Sequence, residues 1–334
     1  TDWDAMRLKY EDAAARSAHW YEFGRCVSML EGELNASHTG FRQTYKEWKL
    51  WKFNEWETET AHVGLRFDHR AAPLREDGTG IEIAAVIPGS PCDRAGHRVL
   101  PGEFLLAVDG TPVRPGQDLA PVFTGRPQRT IRLSVAKLTG EEREVRAEPV
   151  SWKKMRDHVW EGWRDRNEAR VDRSSSGRFA YIHVDQMDWD KFNRFEHEIH
   201  SIAYGKQALV LDVRNNRGGF TADRMLAILA QPDHAVTIPR GGIESYPRGY
   251  LVYTKWDKPL VVLCNQYTGS NGEIFSHAIK TLGRGQLVGV PTQGAVISMP
   301  TRKILDIGTL SIPRRGWFVG DTGLDMEMNG AVPH

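Results

Sequence analysis

Apolar residues recur at helical spacing early in the chain. Trp20, Phe23, Val27, Leu30 and Leu34 alternate three and four apart, one stripe, with Arg25 and Glu31 off it. Residues 1–36 therefore read as helix. The stretch "NASHTGF" ends it, because Asn35, Ser37 and Gly40 are stop and turn residues. The tryptophan-rich "EWKLWKFNEWETE" that follows fits neither helical nor strand period and reads as strand or irregular packing. From about Ala61 short alternating pieces take over: "VGLRF", "GIEIAAVI", "EFLLAVDG", "TIRLSVAKL" and "EREVRAEPV". "PGSPCDRAG" suits a turn feeding a short helix, and "VDGTPV" carries an Asp-Gly hairpin signal. No helical period there exceeds two turns, so a small, mostly β domain is expected, ending near Val150.

The rhythm changes again after a polar, arginine-bearing stretch and the loop "RSSSG". "QALVLDV" and "PLVVLC" read as buried strands, and "RFAYIHV" and "GQLVGV" as further strands. "WDKFNRFEHEIHSIAY", "TADRMLAILAQ" and "SNGEIFSHAIKTL" read as helices between them. Strand and helix in alternation predict a mostly parallel α/β layer.

Composition narrows the function classes. The 334 residues carry a net charge of +1, which removes the usual electrostatic case for nucleic acid or an anionic membrane as partner. The apolar runs are too short to span a bilayer. Cys26, Cys92 and Cys264 stand far apart, with no CxxC pair, as expected in a reducing compartment. No Cys/His cluster has metal spacing, so neither metal nor cofactor is expected. "TDWDAMRLKYED" opens inside a helical pattern with no signal peptide, so a piece of a longer chain is expected.

Ligands of open α/β sheets sit beyond the carboxyl ends of the strands. Two glycine-bearing stretches take such positions: "DVRNNRGGF" after "ALVL", and "NQYTGSNGE" after "PLVVLC". Glycines admit close backbone approach, and two N–H groups can form an oxyanion hole. Ser270 stands between strand and helix, where the helix N-terminus favours developing negative charge. Ser270 to Glu273 is also the spacing of a helix capping box, so Ser270 reads as cap or as nucleophile. Thr268 occupies the first glycine of the G-x-S-x-G elbow, against an ordinary α/β-hydrolase. Among twelve histidines, His38 is favoured as a base by its place in a Gly/Ser/Asn turn directly after the apolar helix. His277 projects away from the helix N-terminus, and His183 alternates within a strand.

Six motifs then occur in one order: "GELNASHTGF", the "GLRF" to "VDGTPV" run, "YIHVDQM", "LDVRNNRGGF", "NQYTGSNGEIF" and "MEMNGAVPH". Together they resemble the tricorn branch of the serine peptidase family that includes the carboxyl-terminal processing proteases. The resemblance covers nearly the whole chain. It implies an α+β and α/β multidomain fold: a helical lead-in carrying the Ser-His motif (1–60), a PDZ β-domain (61–152), and a crotonase-like α/β serine peptidase core (153–334). It implies a tetrad: Ser270 as nucleophile, His38 as base, with Ser37 and Glu327 supporting the base. It places the oxyanion donors on Asn271 and on a glycine of "RGGF", Gly218 being favoured and Gly219 the alternative. Lys280 lies on the wrong part of its helix for the serine–lysine pair of the other branch. Glu273 becomes helix support.

The expected activity is endopeptidase cleavage of oligopeptides or unfolded polypeptides through an acyl-enzyme. A homo-oligomer, a cytoplasmic location and a longer chain with N-terminal β-propeller domains go with it, and no nucleic acid or membrane partner. Residues 64–67 (Gly64, Leu65, Arg66, Phe67) resemble a PDZ carboxylate-binding loop, either capturing a peptide C-terminus by strand addition or serving as scaffold. Two departures stand out: Asn271 replaces the family's aspartate, and the chain closes "AVPH" where the pattern tends to "GVxPD". The primary specificity residue is expected within 232–250, where Asp233 or Glu244 would favour a basic side chain and Arg240 an acidic one; His234 lies there too. The competing readings are a catalytically inactive PDZ scaffold and a crotonase-like acyl-transfer enzyme.

Overall fold

The computed structural model describes residues 2–44, 61–123, 129–232, 238, 240–242 and 254–334. The tryptophan-rich stretch 47–59 and Asp233, His234 and Glu244 lie outside the described residues; Arg240 sits in a turn. The chain divides into two compact units, Thr1–Trp51 with Glu168–His334, and Lys52–Asn167. The lead-in thus folds with the C-terminal half, and the middle unit extends past 61–152 at both ends.

The first unit opens with two helices rather than one, α1 (Trp3–Ala15) and α2 (Trp20–Gly32). The break falls at Arg16–His19. There the Ser17 hydroxyl turns back to the Ala13 carbonyl at 3.0 Å, and His19 is extended, with φ −139°. Serine's local hydrogen bonding competes with the helix. Strand β1 (Gly40–Gln43) follows.

The middle unit contains β2 (Ala61–His62), β3 (Leu65–Asp68), β4 (Ile81–Val86), β5 (Phe104–Val108), β6 (Thr111–Pro112), a short α3 (Ala120–Phe123), β7 (Ile131–Ala136), β8 (Glu142–Ala147) and β9 (Val150–Ser151). The main sheet runs β3-β4-β5-β7-β8, with β6 on β5 and β2 paired separately to β9. Ile81, Ile83, Leu105, Ile131 and Leu133 fill its core. The Asp-Gly hairpin forms as expected: Asp109 and Gly110 both have positive φ (47° and 82°), as a type I′ turn requires. Helix α4 (Trp152–Ser174) begins in this unit and ends in the other. It occupies the polar, arginine-bearing stretch, where only Trp152, Met155, Val159 and Trp163 mark an apolar face along its first half.

The rest of the first unit is the α/β layer. Strands β10 (Phe179–His183), β11 (Ala208–Asp212), β12 (Leu260–Cys264) and β13 (Gln286–Gly289) pair in parallel, in that order. Helices α5 (Trp189–His200), α6 (Ala222–Ala230) and α7 (Asn271–Thr281) make the crossovers. Phe195, Leu209, Leu211, Val262, Phe275 and Ile279 are fully buried between them. A small antiparallel sheet, β1-β15-β14, joins β14 (Thr301–Ile304) and β15 (Gly308–Ser311) to the lead-in. Gly40 pairs with Ser311 and Gln43 with Gly308, so residues just after His38 are stitched to the C-terminal segment. Among the described residues no helix is long and apolar enough to cross a membrane.

Candidate active site

The turn from β12 into α7 is held by side chains from two strand ends. The Thr268 hydroxyl donates to the Val213 carbonyl (2.8 Å) and accepts the Asn265 N–H (3.1 Å). Asn265 in turn accepts the Asn215 N–H at 2.9 Å. Thr268, the departure from the glycine elbow pattern, is therefore a fully buried strut between neighbouring loops. Beyond it Ser270 adopts φ 52° and ψ −122°. A non-glycine residue held there between strand and helix is strained by about 1–3 kcal/mol, and such strain collects at functional sites. The same backbone sharpness exposes the serine of a nucleophile elbow.

Glu273, with no exposed surface, fixes this turn. Its carboxylate accepts the N–H groups of Ser270 (3.0 Å), Gly294 (2.6 Å) and Ala295 (2.8 Å) and the Thr292 hydroxyl. All its partners are local, so it acts as helix and loop support.

The glycine loop lies directly against Ser270. A Cβ on Gly218 would fall 2.5 Å from the Ser270 Cβ and 2.9 Å from the Asn271 nitrogen. Only glycine permits that approach, and its φ of 80° favours glycine as well. The Gly218 N–H donates to Asn216 Oδ1 at 2.7 Å, however. Fully buried Asn216 also donates to the Val184 carbonyl (2.8 Å). Gly218 is thus the close-approach residue, and its N–H is taken. The next N–H, that of Gly219, has no acceptor among the described residues. Asn271 opens α7, where helix geometry leaves its N–H without an intrahelical partner. The Asn271 side chain accepts the Ala222 N–H at 2.8 Å, capping α6 and tying the two helix N-termini together.

On the histidine side, Glu327, Ser37 and His38 stand in a row. Ser37 N–H donates to Glu327 Oε1 at 2.7 Å, and Ser37 Oγ lies 2.8 Å from His38 Nδ1. Glu327 Oε2 accepts the N–H groups of Val296 (2.9 Å) and Ile297 (3.0 Å). Burial pushes the Glu327 carboxyl up. The Ser37 N–H and hydroxyl and the Val296 and Ile297 N–H groups outweigh it, and the carboxyl lies below its ordinary range. Ser37 thus stands between the two, its N–H on the carboxylate and its hydroxyl against the imidazole.

One strap joins the two halves. Ala295 O accepts the Ser270 N–H (3.0 Å), and the next residue, Val296, donates to Glu327. No hydrogen bond joins His38 to Ser270 themselves. His183, His277 and Lys280 have other partners. His183 faces the Arg214 carbonyl (3.1 Å) and is lowered by burial. His277 faces Thr281, and Lys280 Nζ donates to the carbonyls of Val332 and Pro333.

Residues 178–334 match the model of peptidase family S41. They belong to that family. This segment contains the strained serine, its glycine loop and Glu327; Ser37 and His38 precede it. Residues 74–151 match the tricorn protease PDZ domain. Tricorn protease homolog 1 of Streptomyces coelicolor is 32% identical over 99% of this chain and 30% of its own length. The tricorn protease of Thermoplasma volcanium is 28% identical over 70% of this chain and 22% of its own. A carboxyl-terminal-processing protease of Synechocystis is 28% identical over 71% of this chain and 53% of its own. The chain therefore spans about a fifth to a third of the tricorn relatives it matches. The crystal structure of the tricorn protease superposes with a TM-score of 0.74 at 23% identity, over 99% of this chain and 31% of that one. The fold is shared across lead-in, PDZ-type domain and S41 core.

In the PDZ-type domain, Gly64 (φ 93°) makes the close turn: a Cβ there would meet the Ser90 hydroxyl at 2.0 Å. Its N–H donates to His62 Nδ1 (3.0 Å). Leu65 is buried, Arg66 exposed and Phe67 half-buried, and a bulge falls between the last two. Around Ser270, the sequence pattern does not reveal the parts played by Asn216, by the Thr268 hydroxyl or by the 294–297 strap. The paired asparagines of "RNN" are the available signal, since buried asparagine at a strand end usually serves backbone groups.

Proposed function

We propose that this chain is a serine peptidase that hydrolyses peptide bonds of oligopeptides or unfolded polypeptides through an acyl-enzyme. Ser270 attacks the scissile carbonyl, and His38 Nε2 takes its proton and passes it to the leaving amine. Ser37 and Glu327 hold the imidazole tautomer and stabilise its charged form. The N–H groups of Asn271 and Gly219 receive the oxyanion, Gly219 taking the place expected of Gly218. The observation that carries this reading is Ser270's strained backbone at the head of α7, with Gly218 against its Cβ. An acyl-transfer enzyme without a nucleophile would have no use for that strain. Proton transfer requires His38 and Ser270 to close on each other, a contact that commonly tightens only when substrate is bound.

The rest of the proposal follows the family resemblance. The chain works as part of a longer polypeptide with N-terminal β-propeller domains, as a homo-oligomer and in the cytoplasm. Strand β3, at one end of the PDZ-type sheet, can take an added peptide strand along residues 64–67. Turnover of a fluorogenic peptide mixture tests the central part. The wild type is expected to hydrolyse it and Ser270→Ala to give only background; equal rates for both would refute the proposal.

A further inference from the structure

Phe220 follows Gly219 directly, and its side chain is 63% exposed. Trp189, the first residue of α5, is 47% exposed. Their rings meet at 5.8 Å between centroids, inclined at 65°. Large apolar side chains exposed as a contiguous pair mark binding surfaces more often than singly scattered ones do.

This pair is braced. The Phe192 ring stands edge-on to Trp189 at 6.0 Å and packs against the core of the α/β layer. The Arg224 guanidinium lies 5.1 Å from the indole centroid. The Phe220 backbone is fixed by its N–H on the Met187 carbonyl, at 2.8 Å. The ledge is therefore in place before any ligand arrives, which limits the ordering cost of binding.

We propose that Trp189 and Phe220 form a subsite for an apolar or aromatic side chain of the peptide substrate, next to the scissile bond. This rests on the proposed function. If the Gly219 N–H receives the scissile carbonyl oxygen, Phe220 begins one residue, ~3.8 Å of chain, away. Its ring then reaches only side chains flanking the cleaved bond. A charged side chain there would lose water against two aromatic rings, and a small one would leave the ledge wet.

The test is a peptide library randomised at each position around the cleaved bond, read by mass spectrometry. It is run with wild type, Phe220→Ala, Phe220→Leu and Trp189→Ala. A small fluorophosphonate reports in parallel whether wild-type Ser270 is reactive. The expected wild-type result is a preference of about 10–100-fold in kcat/KM for Phe, Leu or Met over Ala or Asp at one flanking position. That preference should collapse in both alanine variants, at that position only, and return in part with Phe220→Leu. Wild type that is labelled and cleaves, but keeps its profile in all variants or shows no apolar preference, overturns the subsite and leaves the peptidase reading standing. Equal loss of cleavage on every peptide in Phe220→Ala and Phe220→Leu also overturns it, because the ring would then serve the loop. Unlabelled wild type overturns both readings.

Discussion

The Glu327 carboxylate and the Ser37 N–H, 290 residues apart in the chain, meet at 2.7 Å. The contact links the helical lead-in to the C-terminal segment, beside the pairing of β1 with β15. It makes the catalytic reading depend on both chain ends. Glu327→Gln keeps the shape but turns an amide donor toward groups that are themselves donors. Its kcat is expected to fall by about 10²–10⁴-fold with KM little changed, and stability by about 1–3 kcal/mol. Steady-state kinetics and chemical denaturation of the same preparation measure both.

The same carboxyl predicts an acid dependence of stability. Its native value lies below the ordinary 4.5, held down by N–H and hydroxyl donors against the opposing effect of burial. On acidification the unfolded chain takes up this proton first. The contribution is complete above the ordinary value and is lost as pH falls through the native one. Denaturation midpoints followed from about pH 6 to about pH 3 should decline in wild type and decline less in Glu327→Gln.

Ser270 carries backbone strain that alanine shares and glycine does not. Ser270→Ala and Ser270→Gly are both expected to be inactive. Ser270→Gly should be the more stable of the two by about 1 kcal/mol, since relief of a strain of this kind exceeds glycine's entropic cost. Equal stabilities would contradict backbone strain at Ser270. Urea titrations of the two variants decide it.

The Asn271 side chain caps α6 at Ala222, and its N–H is the proposed oxyanion donor. Asn271→Asp keeps the acceptor and puts a negative charge at two helix N-termini, so its stability should stay within about 0.5 kcal/mol of wild type or rise. Asn271→Ala removes a helix cap and should cost about 1 kcal/mol, with slower turnover as Gly219 and Asn271 lose their common register. Thermal melts and kcat/KM for the two variants provide the comparison.

Much of the α/β layer is legible in the sequence, because its buried strands are continuous apolar runs separated by amphipathic helices. The Asp-Gly turn likewise announces the hairpin of the middle unit. What escapes is whatever lacks a period. Helix α4 has an apolar face only along its first half, amid many charges, and the break between α1 and α2 rests on a single serine turning back on its own helix. Strands β14 and β15 are short, with mostly exposed or half-buried residues. Their pairing with β1, which delivers His38 to the core unit, is a long-range contact that no local pattern encodes. The site divides the same way. Ser270 is marked by its place between strand and helix, whereas Glu327 is reached only through family resemblance. The capture of the Gly218 N–H by Asn216 is a matter of side-chain geometry, invisible in "RNNRGG".

The central claim is that Ser270 is the nucleophile and His38 its base. Its most direct measurement is reaction of the folded protein with a fluorophosphonate, followed by peptide mapping of the adduct. The account predicts a single phosphonylated residue, Ser270, with labelling absent in Ser270→Ala and slowed by at least about 10²-fold in His38→Ala. An adduct on another serine, or labelling of Ser270 at an undiminished rate without His38, would contradict it.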